Sequence, residues 1–597
     1  MRPTSMALFA LCLSAGLSSQ TIQAAETTAF TDVQVISMID DRVVPGQTVL
    51  VTDGKIARIG QQGQIPIPPD AFVIAGAGRF LMPGLADMHT HINDPQFEYS
   101  FCNLFLANGV TTVRDLTQGY LMVGPPTILR LRREIEAGRR LGPSILTAFT
   151  IWGGEHQLAD LVASQRPLGY DCLKINSYFS PAGFDTTMRK ARELNWYTLG
   201  HIPNLVRLDG VIAGGMDELS HIEELIIFEI IGMDWSKITD HKTFDEELLE
   251  TLHAETRPYL DASAQEIRAA YADKVAQAAR KVKAANLTLT TTVYCHEDTR
   301  DKLIAPAALR AAPQARYTAP EFWKNLAAGR DKHQQMVAAG EERAWNVVYE
   351  LETLLCEELH KQGVNLVLGT DVGPTYLSLT PGFAVHEELR MLTECGFTPY
   401  EAIATATRNA GDVEQRMIGR NDFGTIEIGK RADLILLENN PFEDVANIRH
   451  PLGVMAAGRW LPRDSLQALL EIRQTPIADS LKAAYGRGGC EAALARYRWF
   501  TTHNFHNQYV YSENDLNQAG YDLLSAGRVE DALHVLGRNA EEYPESWNVF
   551  DSFGEACRKA GQANAAIRAY ERACALDPSQ ANPRLMLEEL RRSSSLR

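Results

Sequence analysis

The sequence predicts an α/β protein: a (β/α)8 TIM barrel, a flanking composite β-sandwich and a C-terminal α-helical repeat domain. Three observations carry that prediction. Eight apolar, strand-like runs alternate with helical segments through the middle of the chain, a pattern that implies parallel strands joined by crossover helices. Short β-rich runs stand on both sides of that middle. The last ~85 residues repeat with a period of 34. With 45% hydrophobic and 8% aromatic residues in 597, the chain can bury large cores, so a disordered or coiled-coil protein is excluded.

Taken in order, residues 1–25 read as an export signal: Arg2, an apolar or small run over 6–17, and Ala24-Ala25 before Glu26. Leu11 directly precedes Cys12 where a lipoprotein signal wants a small residue, so no lipid anchor is expected. No later stretch approaches 18 apolar residues, and a periplasmic or extracellular protein without a membrane span is expected. Residues 26–80 hold β-rich runs at 33–36, 48–51 and 55–60, with Asp53-Gly54 as a hairpin signal. Similar runs return at 424–429, 432–437 and 454–459, so 26–80 and 424–463 are expected to share one β-domain.

The barrel is expected over 81–423, with strands at 85–91, 111–116, 144–150, 172–177, 197–201, 217–222, 287–294 and 366–371. Helical patterns at 264–285 and 330–360 fill the long gaps around the seventh strand and are expected to cap the mouth. Residues 464–511 read as a helical linker or degenerate repeat around Gly489 and Ala493. In 512–597, Gly520/Gly554, Gly527/Gly561, Ala532/Ala566 and Pro544/Pro578 are each 34 apart. That spacing resembles the tetratricopeptide repeat (TPR), which implies a concave surface for an extended peptide or a neighbouring subunit. A stabilising appendage is the alternative. A net charge of −17 argues against nucleic acid. Nine cysteines without CxxC spacing argue against a disulfide scaffold or a thiolate zinc module.

The sharpest chemical signal is Met82-Pro-Gly-Leu-Ala-Asp-Met-His89-Thr-His91. Side chains two apart on a strand face the same side, and at the C-terminal end of a barrel strand that side is the interior. A His-x-His pair alone reads equally well as two hydrogen-bonded histidines. But Lys174, His201, His221 and Asp371 each lie in or at the end of a further predicted strand, and imidazole with carboxylate suits zinc.

With these residues the chain resembles the metal-dependent amidohydrolase superfamily, closest to its imidazolonepropionase-related and prolidase-like members, over about residues 30–463. The resemblance also rests on Gly369-Thr370-Asp371 and on Gly424-Thr-Ile-Glu-Ile-Gly-Lys-Arg-Ala-Asp-Leu434. It implies one Zn2+ on His89, His91 and Asp371, a second on His201 and His221, and Lys174 as a bridging ligand carboxylated by CO2. A desolvated lysine is a neutral amine able to react with CO2, whereas an ammonium would be repelled by two cations. The implied mechanism is attack on an amide carbonyl by zinc-activated hydroxide, with Asp371 as general base and then acid. No Gly-x-Ser-x-Gly elbow offers a serine nucleophile.

The expected function is thus an exported binuclear zinc amidohydrolase acting on a dipeptide, an N-acyl amino acid or a cyclic amide. The alternatives are a mononuclear cyclic-amide hydrolase or deaminase, and a repeat scaffold with an inactive barrel. Many deaminases of this family carry a Glu three residues after the fifth-strand ligand; here Asn204 follows His201-Ile202-Pro203, which weakens that alternative. Tyr294, His296 and His156 are candidate substrate contacts, weighed evenly against a solvated loop role. His386 and Glu387 read as the first turn of a helix, where a carboxylate compensates the dipole.

Overall fold

The computed structural model describes residues 27–92, 96–117, 126–153, 157–336 and 341–595. The expected export signal at 1–25 and the candidate His156 lie outside them. Eight parallel strands, Leu85–Thr90, Val110–Asp115, Ser144–Ile151, Cys172–Ile175, Tyr197–Gly200, Glu218–Leu219, Thr288–Thr290 and Asn365–Val367, pair in chain order. The sheet curls until its ends meet. Met88 N donates to Leu368 O at 2.9 Å, Asp371 N to His89 O at 2.8 Å and His91 N to Val372 O at 2.8 Å. Every residue of the first two strands is buried, because interior side chains fill one face and helices cover the other.

The flanking β-domain knits the two ends of the chain together. Its hydrogen-bonded order is Arg459–Pro462, Gly453–Ala456, Leu434–Leu437, Phe80–Pro83, Thr27–Ile36, Val43–Thr52 and Lys55–Gln61, with Phe72–Ala75 also paired to Thr27–Ile36. The seam is antiparallel, with Ile435 opposite Met82. Asp53 and Gly54 turn the hairpin with φ of 50° and 73°, as a two-residue loop matched to strand twist requires. The strands are hydrogen-bonded into one continuous sheet. One expectation is corrected here. Residues 424–429 are not a strand: Gly424 and Gly429 sit at φ of 84° and 95°, and the segment instead bonds through Ile426 N to Ser37 O and Gly429 N to Ile56 O.

The helices expected as a cap have another place. Ala264–Ala284, opened by a Ser263/Glu266 capping box, and Ala344–Lys361 run directly into the seventh and eighth strands and contribute to the barrel core. They are crossover helices of the outer ring. The segments left as insertions are helix His241–Thr256 and the short helices between 294 and 335.

The C-terminal helices Glu513–Ser525 and Val529–Glu542 are followed, 34 residues on, by Trp547–Lys559 and Ala563–Leu576. The repeated glycines sit where helices cross: a Cβ on Gly520 would come within 2.4 Å of Leu536, and one on Gly554 within 2.8 Å of Tyr570. Residues 478–502, expected as a degenerate repeat, hold two helical segments that meet at a break at Gly488-Gly489, where φ is −148° and 68°. This region docks on the barrel. Arg130 lies 4.8 Å from the Tyr543 ring centroid and 5.2 Å from that of Tyr511, and donates to Tyr497 Oη at 2.9 Å. No helix among the described residues is long and apolar enough to cross a membrane.

Candidate metal centre at the barrel mouth

The barrel interior carries two polar layers. The lower one is the fully buried ion pair Arg114–Glu218. Arg114 Nη1 donates to Glu218 Oε2 at 3.0 Å and Arg114 Nε to Met88 O at 2.7 Å. Glu218 also accepts from Tyr197 Oη at 3.0 Å and Thr290 Oγ1 at 2.8 Å. Burial works against its charge, but Arg114 outweighs that and holds the carboxyl below its ordinary range.

Above it lie the residues singled out in the sequence. His89 and His91 stand at the end of the first strand and Asp371 just past the eighth. Asp371 Oδ1 is 3.0 Å from His91 Nε2 and 3.3 Å from His89 Nε2, and the two Nε2 atoms are 3.3 Å apart. Lys174 Nζ, from the fourth strand, is 3.3 Å from His89 Nε2. The His221 ring packs on His89 with centroids 4.4 Å apart, and the His201 ring stacks on His221 at 5.1 Å. All six residues therefore come together at one mouth of the barrel.

Backbone geometry makes this possible. Asp371 adopts φ of 57°, a left-handed conformation that aspartate tolerates better than most residues. Gly369 has to be glycine, since a Cβ there would fall 2.6 Å from the Cβ of His89. Asp87 fixes the turn by accepting from Thr370 N at 3.1 Å and Thr370 Oγ1 at 2.6 Å.

The protonation pattern suits cation binding. His89 Nδ1 lies 3.1 Å from Ser220 O; donating there, it leaves the Nε2 lone pair facing the cluster. His201 Nδ1 likewise faces Glu224, the carboxylate–histidine pairing common behind metal ligands. Burial pushes His89, His91 and His221 down, so their imidazoles are neutral. Burial also lowers the Lys174 amine, to about 8. Desolvation opposes the charge of Asp371, but the hydrogen bond with His91 and the nearby Lys174 side chain hold its carboxyl below the ordinary range. Three neutral imidazoles, a carboxylate and a readily deprotonated amine fit divalent cations with nitrogen and oxygen ligands.

The other candidates separate from this cluster. Tyr294 opens helix Tyr294–Ile304 and lines a small pocket with Leu309, Trp323 and Phe383. His296 Nδ1 lies 3.7 Å from Glu352 Oε2. Glu387 is paired with Arg390 and Arg449 in helix Phe383–Glu394. Sequence reasoning missed Glu224, Glu223 and Thr292. Glu223 Oε1 is 3.3 Å from His221 Nδ1, and Thr292 Oγ1 is 3.3 Å from that nitrogen and 3.2 Å from Glu223 Oε2. Thr292 is β-branched yet has φ of 51°, strain of the kind that marks functional loops. The Glu223-Glu224 pair directly after His221-Ile222 was the one available signal.

Comparison with known proteins agrees with this geometry. Residues 330–461, which include Asp371 and the return into the β-domain, match the amidohydrolase family model. An allantoinase from Streptomyces avermitilis is 33% identical over 154 residues, 23% of this chain and 31% of that one. An adenine deaminase from Paracoccus denitrificans is 32% identical over 81 residues, 13% of this chain and 14% of that one. The chain spans less than a third of the length of these relatives. A bottromycin amidohydrolase structure superposes with a TM-score of 0.52 at 20% identity, covering 76% of this chain and 92% of that one, a likeness of fold.

Proposed function

We propose that the protein is a metal-dependent hydrolase cleaving an amide-type C–N bond in a small substrate: a dipeptide, an N-acyl amino acid or a cyclic amide. The observation that carries this reading is the convergence of the His89, His91, Asp371 and Lys174 donor atoms at 3.0–3.3 Å, in protonation states suited to cations. His89, His91 and Asp371 would hold one Zn2+, His201 and His221 a second, and Lys174 would join them as a carbamate. Bound there, divalent cations supply an acidified water and a polarised carbonyl.

The chain's own groups do the rest. Asp371 Oδ1 takes the proton of the attacking water and delivers it to the leaving amine nitrogen. Glu224 and the Ser220 carbonyl hold His201 and His89 in the tautomers that keep Nε2 basic. Burial keeps Lys174 a reactive amine. The family match and the relatives named above support hydrolysis of C–N bonds, and the absence of a carboxylate at Asn204 favours amide hydrolysis over deamination.

Zinc-loaded protein screened against dipeptides, N-acyl amino acids and cyclic amides tests the reading, with Lys174→Ala and Asp371→Asn as controls. Activity that survives both substitutions would overturn it, and activity surviving Lys174→Ala alone would point to a single metal. Growth in 13C-bicarbonate followed by 13C NMR reads the carbamate directly. We also read the C-terminal helix pairs as tetratricopeptide-type repeats and the N-terminal 25 residues as an export signal; cell fractionation tests the latter.

A further inference from the structure

A second group of ligand-type side chains lies beside the first. Glu223 follows the sixth strand, His296 lies in the helix after the seventh, and Glu352 sits midway along the crossover helix Ala344–Lys361. One donor atom from each, a carboxylate oxygen from Glu223 and Glu352 and a ring nitrogen from His296, lies within 4.8 Å of the other two, the same closeness that His89, His91 and Asp371 meet. Glu352 is fully buried. Neither of its oxygens has a hydrogen-bond partner among the described residues, nor does His296 Nδ1, which faces it at 3.7 Å. Among those residues no lysine or arginine pairs with Glu352 or Glu223.

An uncompensated carboxylate in a protein interior is among the costliest arrangements a fold can hold. Buried charges are retained when they are paired or coordinate a metal. Two carboxylates and an imidazole with donor atoms within 4.8 Å of one another match the second case, with the oxygen-rich donor set of Zn2+ or Mn2+. We infer that Glu223, His296 and Glu352 form a further cation site, taking one divalent transition-metal ion and tying the ends of the sixth and seventh strands to the crossover helix. Glu223 also touches His221, so the ion would fix the position of that ring and act on the mouth cluster as a positioning element.

The site is read from residues distinct from the six mouth ligands, and its test is a difference that does not depend on how many ions those six hold. Full-length protein is loaded with zinc, or separately with manganese, desalted, and its metal counted by mass spectrometry. Glu352→Gln, matched in size, is expected to hold one equivalent fewer than wild type, and His296→Asn likewise. The Lys174→Ala/Asp371→Asn double variant is expected to retain at least one equivalent, and to lose one when Glu352→Gln is added. Circular dichroism checks that each variant folds. Equal metal content in wild type and Glu352→Gln, or a metal-free double variant, overturns the site and leaves a proton shared between the two carboxylates as the explanation. If Glu352→Gln does not fold, the loss of one equivalent in His296→Asn decides, and equal metal content there overturns the site.

Discussion

Two polar groups are buried in the same barrel, and they are solved in opposite ways. At the floor, Arg114, Tyr197 and Thr290 all donate to Glu218, and the remaining Arg114 Nε donates to the Met88 carbonyl. At the mouth, His89, His91, Lys174 and Asp371 turn their donor atoms toward one common centre. A closed network stabilises a fold and offers nothing to a ligand. A convergent one is incomplete by itself, and what completes it is the chemistry. The contrast teaches that burial and polarity do not distinguish structure from function; the direction of the lone pairs does.

The comparison breaks most sharply at Asp371. Asp371→Asn and Lys174→Ala are expected to lower hydrolysis roughly 10²- to 10⁴-fold and to reduce bound zinc, while the urea-unfolding midpoint of the metal-free protein stays near that of wild type. Glu218→Ala is the inverse case. It leaves the Arg114 charge buried without its partner and should cost about 3–5 kcal/mol of stability, read by chemical denaturation. If Glu218→Ala were instead neutral for stability, the floor would not be the self-sufficient network drawn here.

Finer tests sharpen the mouth. Glu224→Gln keeps the shape but weakens the acceptor behind His201, so zinc affinity should fall about 10- to 100-fold in chelator competition. The smallest effect is one of pH. Burial lowers Lys174 to about 8, so its amine is mostly protonated below that pH and mostly free above it. Reconstitution of metal-free protein with zinc and bicarbonate should therefore be more complete near about pH 9 than near about pH 6.5. A reversed or flat profile would remove the neutral amine from the account.

Much of this was legible before any fold was drawn. The eight strands announced themselves because barrel strands are buried on both faces and alternate with helical segments along the chain. The Asp53-Gly54 turn was legible because its chemistry is local. The six mouth residues were legible because each falls in or at the end of such a run. The crossover helices were misread as a cap because amphipathic periodicity reports that one face is buried, not what buries it. The run at 424–429 was misread because its positive-φ glycines fit a turn as readily as a strand end. Tyr294 and His296 were singled out by chain position alone, and the structure sets them at the start of a helix.

Sequence by itself determined the elements, the 34-residue repeat and the residue types a metal would want, because these follow from periodicity and short-range chemistry. Only the tertiary structure decided which donor atoms face one another. It set His201 against Glu224, made Arg114 and Glu218 a closed pair, and brought Glu352 to His296 across a gap of 56 residues. Those outcomes depend on the closure of the sheet and the packing of helices around it, and no local stretch of chain encodes them.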